Sequence, residues 1–259
     1  MKYQKNFFPI QAYDLAQTLG SGQAFRWRLN GEFWEGVVDR QWVRLKQESN
    51  GITAETWATR NDWDWLKEYL QLDVDLQAVI ASFPRDEPMR LAVASCPGLR
   101  LLKQDPWECL ASFILSSTKQ IVQIQQIIGH LCSCFGKPLE VPQGSAPVQD
   151  FPAVQTVARA SEQQLRACKM GFRAPNLQKT ALLIDSGKID LESLRSLSVD
   201  EAREALVSLP GVGPKIANCV LLFAYGFQSA FPVDVWIMKA LTQLYFPRRN
   251  PGEKKLAHF

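Results

Sequence analysis

The amino-acid sequence predicts an α+β protein in which an N-terminal antiparallel sheet precedes an all-helical part. Apolar and polar residues alternate from about residue 23 to residue 58, as in strands that bury one face. After Arg100 the apolar residues recur at helical spacing, between explicit start and stop signals. Separate runs of strands and helices are typical of the α+β class, and we predict two domains, residues 1–104 and 105–259.

Turn residues divide the N-terminal region into strands. Asn30 and Gly31 form a strong hairpin signal, and Asn50 and Gly51 precede a further alternating run. These turns predict four or so antiparallel strands with one buried face. Helical spacing replaces the alternation from Trp63 onward.

The helical region begins at residues 105–108, where Asp-Pro-Trp-Glu supplies an N-cap, a proline at the first helical position and a glutamate at the third. A polar break at residues 116–119 separates this helix from a second one that ends at Gly136. A loop rich in proline, glycine and glutamine is predicted over residues 137–151. Further helices are predicted near residues 161–170, near 174–186, from 198 to about 208, from 216 to about 225, and from 235 to about 245.

The composition is that of a globular protein, with 46% hydrophobic and 21% charged residues. A net charge of +3 is too small to indicate a polyanionic partner by itself. No apolar run approaches the ~20 residues of a membrane span, and no signal peptide is recognisable. Six scattered cysteines and two histidines favour free thiols over disulfides or a zinc site. We therefore expect an intracellular protein with no membrane partner, no metal and no cofactor.

The most informative segment is Leu-Pro-Gly-Val-Gly-Pro-Lys, residues 209–215, between two predicted helices. Gly211 and Gly213, on either side of Val212, allow a tight turn and leave backbone amides uncovered. With the positive end of the following helix, these amides form a site sized for a phosphate. The segment is thus interpreted as a helix-hairpin-helix motif that grips a nucleic-acid backbone. The alternative is a tight connection between helices and nothing more.

Two charged residues near this hairpin admit two interpretations each. Lys215 lies at a helix N-terminus, where the dipole disfavours a cation, so the field and partial burial should lower the pKa of its amine. It is either a nucleophilic amine or a lysine that contacts a phosphate. Asp234 precedes a predicted helix and is either a plain N-cap or a carboxylate that also faces a reaction centre.

The hairpin followed by Pro-Val-Asp-Val resembles the helix-hairpin-helix DNA glycosylases whose motif ends in Gly-Pro-Asp. Within that superfamily the chain is similar to the 8-oxoguanine DNA glycosylases, from about residue 15 to the last residue. The motifs that carry this resemblance are residues 21–27, 104–109, 113–117, 171–174, 209–215 and 232–235.

The resemblance implies a sheet like that of the TATA-binding protein, a helical catalytic domain and a DNA repair activity. Lys215 would attack the anomeric carbon of a flipped nucleotide, and Asp234 would activate the amine and stabilise an oxocarbenium-like transition state. A Schiff base and β-elimination would follow. The implied protein is a bifunctional glycosylase/AP lyase that excises 8-oxoguanine in base excision repair. Its expected partner is damaged double-stranded DNA, on which it acts as a monomer.

The resemblance also assigns the recognition residues. The carbonyl of Gly22 would accept the N7–H that distinguishes 8-oxoguanine from guanine, and Cys219 would form one wall of the base pocket. Taken alone, Cys219 is equally well explained as a small core residue. Phe172 would be the wedge in the base stack, and Arg173 matches an arginine that contacts the opposite cytosine.

Three departures from the family pattern accompany these matches. The intercalating asparagine and a nearby arginine fall on Thr118 and Gln123, and a histidine after the catalytic aspartate falls on Trp236. The chain also stops at Phe259, early in a helix that the family continues with residues of the base pocket. Two other hypotheses therefore stand: a related glycosylase of different base preference, and a truncated form that binds DNA without turnover.

Overall fold

The computed structural model describes residues 2–58 and 62–246. Its N-terminal part is a five-stranded antiparallel sheet in the order β1-β5-β4-β3-β2. The strands are β1 (Lys2–Pro9), β2 (Arg28–Asn30), β3 (Phe33–Val38), β4 (Gln41–Glu48) and β5 (Gly51–Ala58). The α+β class and the sheet-then-helices order are thus confirmed.

Two details of the predicted sheet are wrong. The strand expected from Gln23 begins only at Arg28, because residues 23–27 form bends between the sheet and the helical part. Consecutive residues there are buried, with Phe25 in the helical core and Trp27 in the sheet core. The first strand, β1, was missed because most of its side chains are exposed and its pairing partner is the distant β5.

The expectation of one buried face also fails for the interior strand β5, which lies between β1 and β4. Ile52 and Ala54 face the N-terminal core, yet Glu55 on the other face is only 4% exposed. Arg44 and Lys5 form ion pairs with its carboxylate from the two neighbouring strands, which compensates the buried charge.

Four helices complete the N-terminal part, namely α1 (Leu15–Gly20), α2 (Asp64–Leu70), α3 (Leu76–Ala81) and α4 (Glu87–Ser95). Helices α1 and α2 bury leucines against the sheet, whereas α3 and α4 contain no buried residue. Within the described residues, no helix has the length and apolarity needed to cross a bilayer.

The C-terminal part is helical, as predicted. Its helices are α5 (Pro106–Ser116), α6 (Ile121–Phe135), α7 (Val154–Arg159), α8 (Glu162–Leu165), α9 (Ala174–Asp185), α10 (Val199–Val207), α11 (Pro214–Val220) and α12 (Val235–Tyr245). The predicted cap is confirmed, since the Asp105 side chain accepts the amide of Glu108 at 2.8 Å. A short ribbon, β6 (Pro138–Leu139) with β7 (Val148–Gln149), lies within the predicted loop. Helix α7 was not predicted.

Helix α5 lies at the centre of the second core, because every residue from Pro106 to Leu115 except Glu108 is buried. The two parts are tied by a salt bridge of 3.1 Å from Arg26 to Glu108. The first core ends at Leu102 and the helices of the second begin at Pro106, which supports the predicted domain boundary; the boundary itself stays a prediction.

Candidate active site

At one position of the hairpin between α10 and α11, the backbone adopts a conformation that only glycine fits. Gly211 has a φ of +80°, and a Cβ there would lie 2.9 Å from the side chain of Asn176. Val212 is 6% exposed and anchors the tip of the hairpin in the helical core. The Thr180 hydroxyl donates to the carbonyl of Pro210 at 3.1 Å, which fixes the entry to the turn.

Two backbone amides of this hairpin are free to bind a ligand. Within the described part of the chain, neither the N–H of Gly211 nor that of Gly213 donates a hydrogen bond. Gly213 is the N-cap of α11, and Pro214 at the first helical position has no N–H to satisfy. The turn therefore presents donors together with the positive end of α11, as an anion site requires.

Lys215 extends from the first turn of α11 over an aromatic floor. Its Nζ lies 5.3 Å from the centroid of the Phe113 ring, within range of a cation–π interaction. Phe113 is 3% exposed, stacks on Phe223 and meets Phe25 edge to face. The amine is thus held above a rigid apolar surface contributed by α5 and the segment before β2.

Cys219 lies one helical turn after Lys215, close enough for the charge of that amine to act on its thiol. Burial raises the pKa of the Cys219 thiol to about 11; the positive charge of Lys215 opposes this shift, and the negative charge of Asp234 adds to it. The three side chains therefore lie within electrostatic range of one another. At neutral pH the thiol is therefore uncharged.

Asp234 caps α12 through one carboxylate oxygen. Its Oδ1 accepts the amides of Trp236 at 2.9 Å and Ile237 at 2.8 Å. Its Oδ2 has no hydrogen-bond partner among residues 2–58 and 62–246. The capping interpretation is confirmed, and it leaves one oxygen available to a substrate.

Gly22 lies in a loop whose position is fixed by the neighbouring Gln23. Gly22 has a φ of +84°, and a Cβ there would lie 3.0 Å from Ile121 at the start of α6. Phe25 connects this loop to the aromatic rings beneath Lys215, since its ring centroid is 5.6 Å from that of Phe113.

Gln23 is a buried structural residue, with 4% exposure, that the sequence did not single out. Its side-chain amide donates to the carbonyls of Thr18 at 2.9 Å and Arg100 at 2.8 Å, and accepts the amide of Leu102 at 2.8 Å. The carbonyl of Gln23 in turn accepts the side-chain amide of Gln104 at 2.7 Å. The sequence signal that could have identified this residue is a polar glutamine within an apolar segment.

The residues matched to opposite-base contacts lie together, but not all of them face outward. Thr118 is exposed with a φ of +57°, and Phe172 is 62% exposed. Arg173 is only 3% exposed and donates to the carbonyl of Ser117 and, at 2.7 Å, to the hydroxyl of Thr118. The predicted reader of the opposite base therefore points inward in this structure.

The remaining predicted residues are less constrained. Gln123 is exposed, and its side chain accepts the amide of Gln120 at 3.3 Å, which caps α6. Trp236 is 74% exposed on the first turn of α12, with Lys239 over its ring at 5.8 Å. The predicted early end of the chain at Phe259 lies outside the described residues.

The six cysteines are free thiols, as predicted. In residues 2–58 and 62–246, no three His, Cys, Asp or Glu side chains lie close enough together to hold a metal ion. The described part of the site therefore offers an amine, a carboxylate, a neutral thiol and backbone groups as its reactive chemistry.

Two family models together cover nearly the whole chain. Residues 111–259 match the HhH-GPD superfamily base excision DNA repair proteins, which defines the class. Residues 7–110 match the N-terminal domain of 8-oxoguanine DNA glycosylase. The chain belongs to the 8-oxoguanine DNA glycosylase family within that superfamily, an enzyme family, as the sequence motifs predicted.

Curated relatives and solved structures agree with this membership. The N-glycosylase/DNA lyase of Saccharomyces cerevisiae is 33% identical, covering 93% of this chain and 70% of the yeast protein. That of Arabidopsis thaliana is 31% identical, covering 90% of this chain and 66% of the plant protein. One solved structure is the 8-oxoguanine glycosylase/lyase of Clostridium acetobutylicum, crystallised with double-stranded DNA containing cytosine opposite 8-oxoguanine. It superposes on this chain with a TM-score of 0.91 at 30% identity, and the match covers 96% of this chain and 86% of that one.

Proposed function

We propose that this protein is a bifunctional DNA glycosylase/AP lyase that excises 8-oxoguanine from duplex DNA during base excision repair. The observation that carries the proposal is the grouping of Lys215, Cys219 and Asp234 beside the glycine hairpin. The proposed partner is damaged double-stranded DNA, bound by a monomer inside the cell.

The chemistry follows from these groups. The amine of Lys215 attacks C1′ of the flipped nucleotide while the bond from C1′ to the base breaks and its electron pair leaves with the base. The free Oδ2 of Asp234 accepts a proton from the amine and stabilises the positive charge that develops on the sugar. The resulting aminal opens to a Schiff base, and loss of a 2′ proton then expels the 3′ phosphate.

Base recognition is assigned to Gly22 and Cys219. The Gly22 carbonyl is an acceptor for the N7–H of 8-oxoguanine, and the hydrogen bonds of Gln23 hold that loop in place. Guanine presents an acceptor at N7, so an accepting carbonyl there repels it. The uncharged thiol of Cys219 is suited to one apolar wall of the pocket.

The DNA duplex is held at two further places in this proposal. The free amides of Gly211 and Gly213 bind a backbone phosphate, with Val212 anchoring the turn between them. Phe172 inserts into the base stack opposite the flipped nucleotide. The high exposure of Phe172 supports that role. Thr118, Gln123 and Arg173 are proposed to line the space around the opposite base.

Borohydride trapping of a labelled duplex that contains 8-oxoguanine tests this function, because reduction fixes the Schiff base as a stable amine. We expect a covalent adduct with the wild-type protein and with the control Lys188→Gln, which changes an exposed lysine elsewhere. Lys215→Gln should give none. Faster release of alkylated purines than of 8-oxoguanine would indicate a different base preference, and duplex binding without any adduct would support the non-catalytic alternative.

A further inference from the structure

The loop that carries Asp234 is attached to the helix that carries Lys215 by one side chain. Asn218 lies on α11 between Lys215 and Cys219, and its Nδ2 donates to the backbone carbonyl of Phe231 at 3.0 Å. Phe231 is three residues before Asp234. We propose that Asn218 is a positioning residue that sets the Asp234 carboxylate relative to the Lys215 amine, a role that rests on the function proposed above.

The orientation of the Asn218 amide is determined by its other partner. Arg203 of α10 donates from Nε to Asn218 Oδ1 at 2.9 Å. An arginine is a donor only, so it requires the oxygen of the amide on its side and turns the NH2 group toward Phe231. Arg203 is itself held by Asp200, one turn earlier on α10. The orientation of Asn218 is therefore set by α10, independently of its contact with the Asp234 loop.

The chain between the anchored carbonyl and the carboxylate has little freedom. Pro232 has a fixed φ, and Val233 is buried with 9% exposure. The two amides that Asp234 caps, those of Trp236 and Ile237, fix its side chain at the start of α12. On the other side, Lys215 and Asn218 are three residues apart on one helix, so their relative position is rigid.

This geometry matters because Asp234 must take a proton from a particular amine. Proton transfer requires a distance of about 2.6–3.2 Å between the heavy atoms, and a misplacement of about 1 Å can cost about 10²-fold in rate. Helix α12 has no buried residue of its own, so packing alone fixes its N-terminus weakly. The Asn218–Phe231 bond supplies the missing restraint.

The test compares single-turnover rates of 8-oxoguanine release. Asn218→Ala should slow release about tenfold, the upper range for loss of one hydrogen bond. Asn218→Asp keeps the acceptor for Arg203 but loses the donor to Phe231, so it should slow release at least as much while melting near the wild-type temperature. Gln178→Leu is the control, because it removes a similar amide-to-carbonyl bond, to Ala160 at 2.6 Å, in another part of the domain.

A double-mutant cycle with Asp234→Asn separates positioning from general destabilisation. If Asn218 acts through Asp234, Asn218→Ala should change the residual rate of the Asp234→Asn protein less than about twofold, and duplex binding should stay constant. An equal tenfold loss in both backgrounds, or a parallel loss of binding, would overturn the proposal. If the wild-type protein releases no base at all, the proposed function fails together with this inference.

Discussion

The two sides of the candidate site are built differently. The lesion side, defined as Gly22, Lys215, Cys219 and Asp234, is fixed by buried or mutually bonded neighbours. The opposite-base side, defined as Thr118, Gln123, Phe172 and Arg173, has three exposed side chains and one, Arg173, that is buried. Bond-making chemistry needs groups that are positioned in advance, whereas contact with an unpaired base tolerates side chains that adjust on binding.

Arg173 illustrates the difference. Its guanidinium is buried against Ser117 and Thr118, so it can contact a base only if those bonds break. On the lesion side, in contrast, Asp234 keeps its Oδ2 without a hydrogen-bond partner among the described residues.

Asp234→Asn should slow base release about 10²–10⁴-fold, because the amide cannot accept the proton of the Lys215 amine. Duplex binding and stability should change little, since asparagine is as good an N-cap as aspartate. Single-turnover kinetics and a binding titration on the same duplex check both expectations. Equal losses in rate and in binding would show that Asp234 is only a cap.

Gln23→Leu should destabilise the protein by about 3 kcal/mol, since it leaves the buried amide of Leu102 and the carbonyl of Arg100 without their partner. Gln123→Leu, the matched change on the opposite-base side, should cost only about 0.5–1 kcal/mol, because it removes one exposed hydrogen bond at the start of α6. Denaturant unfolding of both variants measures the difference. Similar values for the two would remove the contrast between the sides.

Gly211→Ala should destabilise the hairpin by about 1–2 kcal/mol, because alanine is strained at a φ of +80° and its Cβ would crowd Asn176. Duplex binding should weaken with it. Gly213→Ala is the internal control: Gly213 has a φ of −96° and nothing within 4 Å of an added Cβ. Thermal melts and binding assays of the pair decide whether backbone conformation, rather than glycine content, makes the phosphate site.

Phe172→Ala should leave stability almost unchanged, since the ring is 62% exposed, yet it should weaken binding to a lesion-containing duplex by about 1 kcal/mol. This is the smallest expected effect. It is measured as the ratio of dissociation constants of variant and wild type on the same DNA. An unchanged ratio would remove Phe172 from the DNA interface.

Local signals made much of the fold predictable. The Asp105 cap, the break between α5 and α6, the hairpin at 209–215 and the cap at Asp234 each depend on residues within a few positions of one another. The same holds for the family motifs, which lie in short segments and predicted the family that the comparisons confirm.

The features that sequence reasoning missed depend on distant contacts. Strand β1 is defined by pairing with β5, about fifty residues later, and not by its own pattern. Gln23 gains its role from residues 100–104, and Arg173 turns inward because of a carbonyl 56 positions away. No local period or motif encodes such partners.

Mass spectrometry of the borohydride-reduced conjugate between the protein and 8-oxoguanine DNA tests the account most directly. After digestion, the deoxyribose remnant should be found on the peptide that contains Lys215, attached to its Nζ. Attachment to Cys219, to another lysine or to the N-terminal amine would contradict the chemistry assigned to this site.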